Sequence, residues 1–142
     1  MGDLSPRFNR YEFDCPCGCG LDTVDYELLM CLEALAVDLE AEEFRPSVDV
    51  RIIMHINSGC RCKEHNKAVG GSKNSQHLIC RAADFWAEVQ FNGNRDTRRK
   101  ISDDHIADLL EEKYPTSKGI GRYVGRTHFD TRSSRAARWD KR

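Results

Sequence analysis

Two apolar repeats of different period stand side by side in this chain, and they constrain its fold more than any other feature. Between residues 23 and 43 the apolar side chains recur at helical spacing, as on an amphipathic helix packed on a core: Leu28, Leu32, Leu35 and Leu39. Pro46 lies beyond the end of that helix. From residue 48 to 57 every second residue is apolar, which predicts a half-buried strand. The chain therefore combines a packed helix with a sheet.

The remaining pattern adds a second helix and further strands. Ser102 is a suitable N-cap for a helix that Pro115 ends. The other expected segments are an irregular, functional connection at 58–76, a short strand at 81–87, a polar, mobile linker at 91–100, and two strands at 120–132 with a turn near Val124 and Gly125. We predict an α+β fold with two principal helices on a small, mainly antiparallel sheet.

Length and charge limit the class of protein. A chain of 142 residues is the size of one domain with a real core, so we expect one domain over 1–142, and a monomer. The net charge of -1 argues against a nucleic-acid binder or a membrane-surface protein. No apolar run could span a bilayer, and residues 1–10 lack the apolar core of a secretory signal. Residues 133–142 form a basic segment that we expect to be a frayed tail.

The chain has seven cysteines, an odd number that leaves at least one thiol unpaired in a monomer. Five of them lie in two short runs. The first run, Cys15, Cys17 and Cys19, belongs to a Cys-rich N-terminal segment at 1–22, and the second is Cys60 and Cys62. These runs are compatible with a structural metal site, with one or two disulfides, or with reduced thiols. Because the spacing is C-x-C and not the C-x2-C of zinc ribbons, a second, structural zinc is the less favoured interpretation.

Two histidines and one aspartate are candidate ligands of a metal ion. His77 and Asp84 lie seven positions apart, so the segment has to bend to bring both side chains onto one ion. His128 lies on the last expected strand, where Arg126 and Asp130 share its face. A catalytic zinc ion typically takes three such ligands and keeps a fourth position for water. On spacing alone, an ordinary loop histidine is the more common interpretation.

Several short motifs occur in an order that resembles one family. Residues 75–84 read SQHLICRAAD, residues 58–61 read SGCR and are followed by Asn66, and residues 128–130 read HFD after a GRY run at 121–123. These motifs resemble the S-x-H-x-x-G-x-A-x-D, S-G-[YF]-R-x4-N and H-x-D elements of zinc D-Ala-D-Ala carboxypeptidases and related peptidoglycan endopeptidases. That family shares its fold with the hedgehog signalling domain. The cysteine-glycine cluster at 13–20 is similar to a compact, often phage-encoded branch.

The resemblance implies a zinc peptidase that cleaves peptidoglycan stem peptides, with His77, Asp84 and His128 as the zinc ligands. Arg61 matches the arginine that contacts the substrate and stabilises the developing oxyanion. The partner is then a peptidoglycan peptide. A phage- or prophage-encoded chain of this kind would be made in the cytoplasm and would act on the cell wall after release or delivery.

Further roles are expected around these ligands. Ser75 and Arg126 are candidate substrate-binding residues. Asp130 has two interpretations: it is the catalytic proton acceptor, or it accepts a hydrogen bond that orients an imidazole.

The sequence departs from the family pattern at two positions. Cys80 stands where the family has glycine, so the loop either tolerates a Cβ or shifts, and the thiol could be a stray ligand or an oxidation site. Gly125 stands where several members carry an acidic general base, three positions before the last histidine ligand. An alternative function is therefore a zinc-bearing module that recognises the cell wall or forms part of a virion. A third possibility is that the cysteines hold the principal metal.

Overall fold

The computed structural model describes residues 2–142, so Met1, which opens the expected Cys-rich segment, lies outside the described residues. The helices and strands are α1 (Tyr26–Glu42), β1 (Val50–Ser58), α2 (Lys63–Ala68), β2 (Ala82–Phe91), β3 (Asn94–Lys100), α3 (Asp103–Lys113), β4 (Gly119–Tyr123), β5 (Arg126–Asp130) and β6 (Ala137–Asp140). Single 3-10 turns occur at Arg10–Phe13 and Gln76–Ile79. The predicted α+β class is confirmed.

All six strands belong to one mixed sheet. The strand order is β1-β2-β5-β4-β6, and β3 also pairs with β2. The pairs are antiparallel except for β4 and β6, which run parallel. One edge of β2 is shared, because its first residues pair with β5 and its last residues pair with β3. Strand β2 is thus central to the sheet.

The core lies between the sheet and the two longer helices. The leucine stripe of α1 is buried as its period predicts, and it belongs to the same apolar cluster as Phe85 of β2 and Phe129 of β5. Asp25 caps α1 by accepting a hydrogen bond from the Leu28 N–H, and Ser102 caps α3 as predicted. No helix within residues 2–142 is both long and apolar enough to cross a membrane.

The linker expected at 91–100 is instead strand β3. The chain reverses direction at Asn92 and Gly93, whose φ angles of 52° and 68° suit a two-residue hairpin turn. Strand β3 is polar and largely exposed, so it lacks the apolar alternation by which a half-buried strand is recognised. Its stability comes from backbone pairing with β2 and from the turn.

Two further expectations need correction. The connection at 58–76 is not wholly irregular, since it contains the short helix α2, which Cys62 caps by accepting a hydrogen bond from the His65 N–H. The basic tail at 133–142 is not frayed along its length, because residues 137–140 form strand β6 against β4. Helix α2 and strand β6 are both short, so contacts with neighbouring elements stabilise them more than their own residue propensities do.

A candidate metal centre in a basic cleft

His77, Asp84 and His128 come together as the sequence predicted. Asp84 on β2 is paired directly with His128 on the adjacent strand β5, so their side chains project side by side. His77 reaches the same point from the 3-10 turn that precedes β2. One ligand atom from each residue lies within 4.8 Å of the others, and all three side chains are buried. The group could hold one metal ion.

The surroundings of His77 fit a metal ligand. Its Nδ1 atom is 2.6 Å from the carbonyl oxygen of Gly59, which can only accept, so Nδ1 donates this hydrogen bond and Nε2 is the ring nitrogen that faces Asp84. Nε2 is buried without a hydrogen-bond partner and lies 3.4 Å from an oxygen of Asp84. A buried polar atom without a hydrogen-bond partner lowers the stability of the fold unless a cation or a water molecule binds to it.

Asp130 fixes the ring of His128. The Nε2 atom of His128 lies 2.7 Å from Asp130 Oδ2, and its Nδ1 atom lies 2.9 Å from Asp84 Oδ1. Asp130 is fully buried and also accepts two hydrogen bonds from the guanidinium of Arg132, at 2.7 and 2.8 Å. This arrangement anchors one ring nitrogen and directs the other towards the shared centre.

The charges of the centre depend on one another. Burial would raise the pKa of Asp84, but hydrogen bonds and the charges of His128 and His77 outweigh it and hold that pKa well below its usual value. Burial likewise opposes ionisation of Asp130, yet Arg132 and His128 lower its pKa. For His128, burial lowers the pKa, and the two carboxylates raise it above its ordinary value. Both carboxylates are therefore ionised near neutral pH.

Arg61 is held rigidly beside the centre. Its Nε atom donates to Ser58 Oγ at 3.0 Å, and its Nη1 atom donates to Asn66 Oδ1 at 3.2 Å. Its Nη2 atom lies 3.3 Å from Asp84 Oδ2. Gly71 leaves room for this network, since a Cβ there would lie 2.1 Å from the Asn66 amide oxygen. Ser58 and Arg61 of the SGCR run and the Asn66 that follows it are thus joined by hydrogen bonds.

His77, Asp84 and His128 lie in a cleft of about 530 Å³. Four basic side chains line it: Arg61, Arg126, Arg132 and Lys141. Within residues 2–142, the only carboxylate that lines this cleft is Asp84, because Asp130 lies behind His128. The cleft is therefore suited to an anionic ligand.

The structure also locates the two residues expected at the substrate. Ser75 lines the cleft, but its hydroxyl accepts a hydrogen bond from the His77 N–H at 3.1 Å and so caps the turn that carries the ligand. Arg126 also lines the cleft, and its guanidinium stacks 4.2 Å from the ring centre of Tyr123.

Trp139 of β6 also contacts the site and is not among the residues predicted from the sequence. Its ring centre lies 4.8 Å from that of His128, and its Nε1 atom donates to the Tyr123 hydroxyl at 2.8 Å. Gly121 of β4 makes this packing possible, since a Cβ there would lie 2.4 Å from the indole. The one available signal was a tryptophan among basic residues, which is too weak to predict a strand.

The cysteines separate into two groups. Cys60 and Cys80 form a disulfide, so the Cys80 thiol is not a stray ligand. Cys80 adopts the left-handed conformation (φ 59°) that glycine would take, and the loop tolerates its Cβ. Cys15, Cys17, Cys19 and Cys62 form a separate cluster.

Comparison with known proteins identifies the family. No curated protein and no solved structure gave a match. The family model described as Peptidase M15 matches residues 6–130, which include the two histidines, Asp84 and Arg61. Since this match covers most of the chain, the protein belongs to the peptidase M15 family.

Proposed function

We propose that the protein is a zinc-dependent peptidase that cleaves peptidoglycan stem peptides. One observation carries this proposal: two imidazoles and a carboxylate converge in a basic cleft, and His77 Nε2 is buried there without a hydrogen-bond partner. Two nitrogen ligands and one oxygen ligand suit a catalytic zinc site with one open position. The place of action would then be the bacterial cell wall.

The residues of the cleft have different roles in the proposed reaction. Held by His77, Asp84 and His128, a zinc ion would supply a water of lowered pKa and would polarise a scissile carbonyl. Arg61 is fixed by Ser58 and Asn66, so its guanidinium can stabilise the negative charge that develops on the carbonyl oxygen. Arg126 and Lys141 line the same cleft and would attract the carboxylates of a stem peptide.

We infer that Asp130 orients His128 and does not take the proton from water. It is fully buried, it is bonded to both His128 and Arg132, and its pKa is lowered. A general base has to reach the water and needs a pKa near the working pH. Asp130 supports the histidine ligand instead.

One observation favours a second candidate function, a zinc-bearing module that binds cell wall without cutting it. Gly125 leaves no acid three positions before His128, and within the described residues 2–142 Asp84 is the only carboxylate in the cleft. A peptidase needs some group to accept the proton of the attacking water. Such a module would keep the metal and the basic cleft.

Hydrolysis of purified peptidoglycan separates the two candidates. The zinc-loaded protein should release new amines and carboxylates, and His77→Ala should abolish this release together with about one zinc ion per chain. His105→Ala is the matched control, because His105 is exposed on α3. If the wild type binds zinc and sediments with peptidoglycan but releases no new termini, the binding module is the correct function.

A further inference from the structure

We propose that Cys15, Cys17, Cys19 and Cys62 bind a second zinc ion, a structural one. This inference does not depend on the peptidase function. The four sulfur atoms all lie within 4.8 Å of one another. Three of the cysteines come from one short loop, and Cys62 comes from the N-terminus of α2. The C-x-C spacing made such a site the less favoured interpretation of the sequence, and the fourth ligand from α2 reverses that preference.

The distances suit a metal site. Cys15 Sγ lies 3.4 Å from Cys17 Sγ and 3.8 Å from Cys62 Sγ, and Cys17 Sγ lies 3.5 Å from Cys62 Sγ. With zinc–sulfur bonds of about 2.3 Å, the sulfurs of a tetrahedral site lie about 3.8 Å apart. A disulfide needs sulfurs about 2.0 Å apart, so these pairs are not bonded. Three sulfurs at this spacing, with the Cys19 sulfur within 4.8 Å of each of them, match a zinc site of four thiolates.

The backbone around the cluster is arranged as at a thiolate site. The Cys62 N–H donates to Cys15 Sγ, and the His65 N–H donates to Cys62 Sγ, both at 3.4 Å. Such donors stabilise negative charge on sulfur. Gly18 and Gly20 have φ angles of 81° and 86°, which let the loop turn tightly enough to present three cysteines to one point.

This zinc would attach the N-terminal segment to the loop that carries Arg61. Cys62 directly follows Arg61, and the Cys60 N–H donates to the Phe13 carbonyl at 3.0 Å. Gly59 permits this approach, because a Cβ there would lie 2.7 Å from the Phe13 backbone. The metal would add to the contacts between the N-terminal segment and the loop at residues 59–62, and it would hold the start of α2 beside the cleft.

Metal counting tests the proposal. Protein produced with zinc and purified without chelator should contain two zinc ions per chain. The double variant Cys17→Ser, Cys19→Ser should contain one ion and have a lower Tm, because structural zinc contributes to folding free energy. His77→Ala should also contain one ion. Cys31→Ser is the matched control and should retain two, since Cys31 lies on α1 outside the cluster.

Replacement of zinc by cobalt tests the proposal without the double cysteine variant, in case that variant does not fold. In the His77→Ala protein loaded with Co²⁺, intense thiolate-to-cobalt charge-transfer absorption should remain, together with the visible bands of a tetrahedral ion. The proposal is overturned if that protein lacks these bands and binds no metal, or if alkylation and mass spectrometry show these cysteines in disulfides. If the wild-type protein binds two zinc ions and does not hydrolyse peptidoglycan, only the peptidase function is contradicted.

Discussion

Each side chain of the metal centre is held by a partner that selects the atom it presents. The Gly59 carbonyl leaves His77 with a free Nε2, and Asp130 leaves His128 with Nδ1 towards the centre. Arg61 is bonded to Asp84 and so sets the direction of that carboxylate. The affinity of the centre should therefore depend on these partners as well as on the ligands.

Replacing Asp130 by asparagine distinguishes its two interpretations. The amide lacks the charge that anchors the His128 ring, so Asp130→Asn should weaken zinc affinity about 10- to 100-fold, as measured by competition with a chelator. Asp140→Asn should leave the affinity unchanged, because the Asp140 side chain is exposed at the end of β6. If Asp130→Asn binds zinc as tightly as the wild type but loses hydrolysis and the acidic limb of its pH profile, Asp130 is the proton acceptor.

Arg61→Lys tests the oxyanion role. A lysine cannot bond Ser58 and Asn66 and still reach the centre, because it is a single point charge and not a planar fork. We expect kcat to fall about 100-fold or more with zinc content unchanged. Arg135→Lys, on an exposed turn, is the control. A variant with wild-type kcat and a raised KM would show that Arg61 serves ground-state binding alone.

At the scale of elements, the sequence predicts those that bury an apolar face. The leucine stripe of α1 and the apolar alternation in β1 predict these two elements correctly, because burial of an apolar face stabilises both. Strand β3 was missed because its side chains are polar, and the Asn92-Gly93 dipeptide was its one local signal. The candidate metal ligands His77, Asp84 and His128 could be recognised only by motif resemblance, because they lie on a turn, on β2 and on β5 and share no sequence period.

Strand β6 gives the clearest prediction at this scale, because it lies outside the residues matched by the family. Trp139 covers His128 and bonds Tyr123, so Trp139→Ala should lower the free energy of unfolding by about 2 kcal/mol, less than for a fully buried tryptophan. It should also weaken zinc binding. Urea denaturation and chelator competition measure the two effects. Val124→Ala, which is 77% exposed in the wild type, should change neither. Unaltered stability in Trp139→Ala would mean that β6 is not held by this contact.

At the scale of the whole molecule, one carboxylate cluster joins three parts of the chain. Glu33 on α1 accepts hydrogen bonds from Ser5 Oγ at 2.6 Å, from the Arg7 N–H at 2.8 Å and from the Arg7 guanidinium at 2.7 Å. Arg7 also bonds Glu40, which accepts from the Ile52 N–H on β1. The N-terminal segment, α1 and β1 thus share one network.

This network should make stability depend on pH through Glu33. Burial would raise the pKa of Glu33, but its bonds to Ser5 and Arg7 lower it below the usual value. A carboxyl group whose folded pKa is lowered contributes stability above its unfolded pKa of about 4.3, and the contribution is lost as the pH falls through the folded pKa. Glu33→Gln should therefore reduce the free energy of unfolding by about 2 kcal/mol at pH 7. The difference from the wild type should shrink as the pH falls below about 4.

Urea denaturation of the metal-free proteins, with the Cys60–Cys80 disulfide intact, measures the effect of Glu33 across that pH range, because no zinc then contributes to stability. Glu112→Gln, on the exposed face of α3, is the control and should match the wild type at every pH. A deficit in Glu33→Gln that is equally large at pH 7 and in acid would show that shape and packing, and not the charge of Glu33, hold the N-terminal segment on α1.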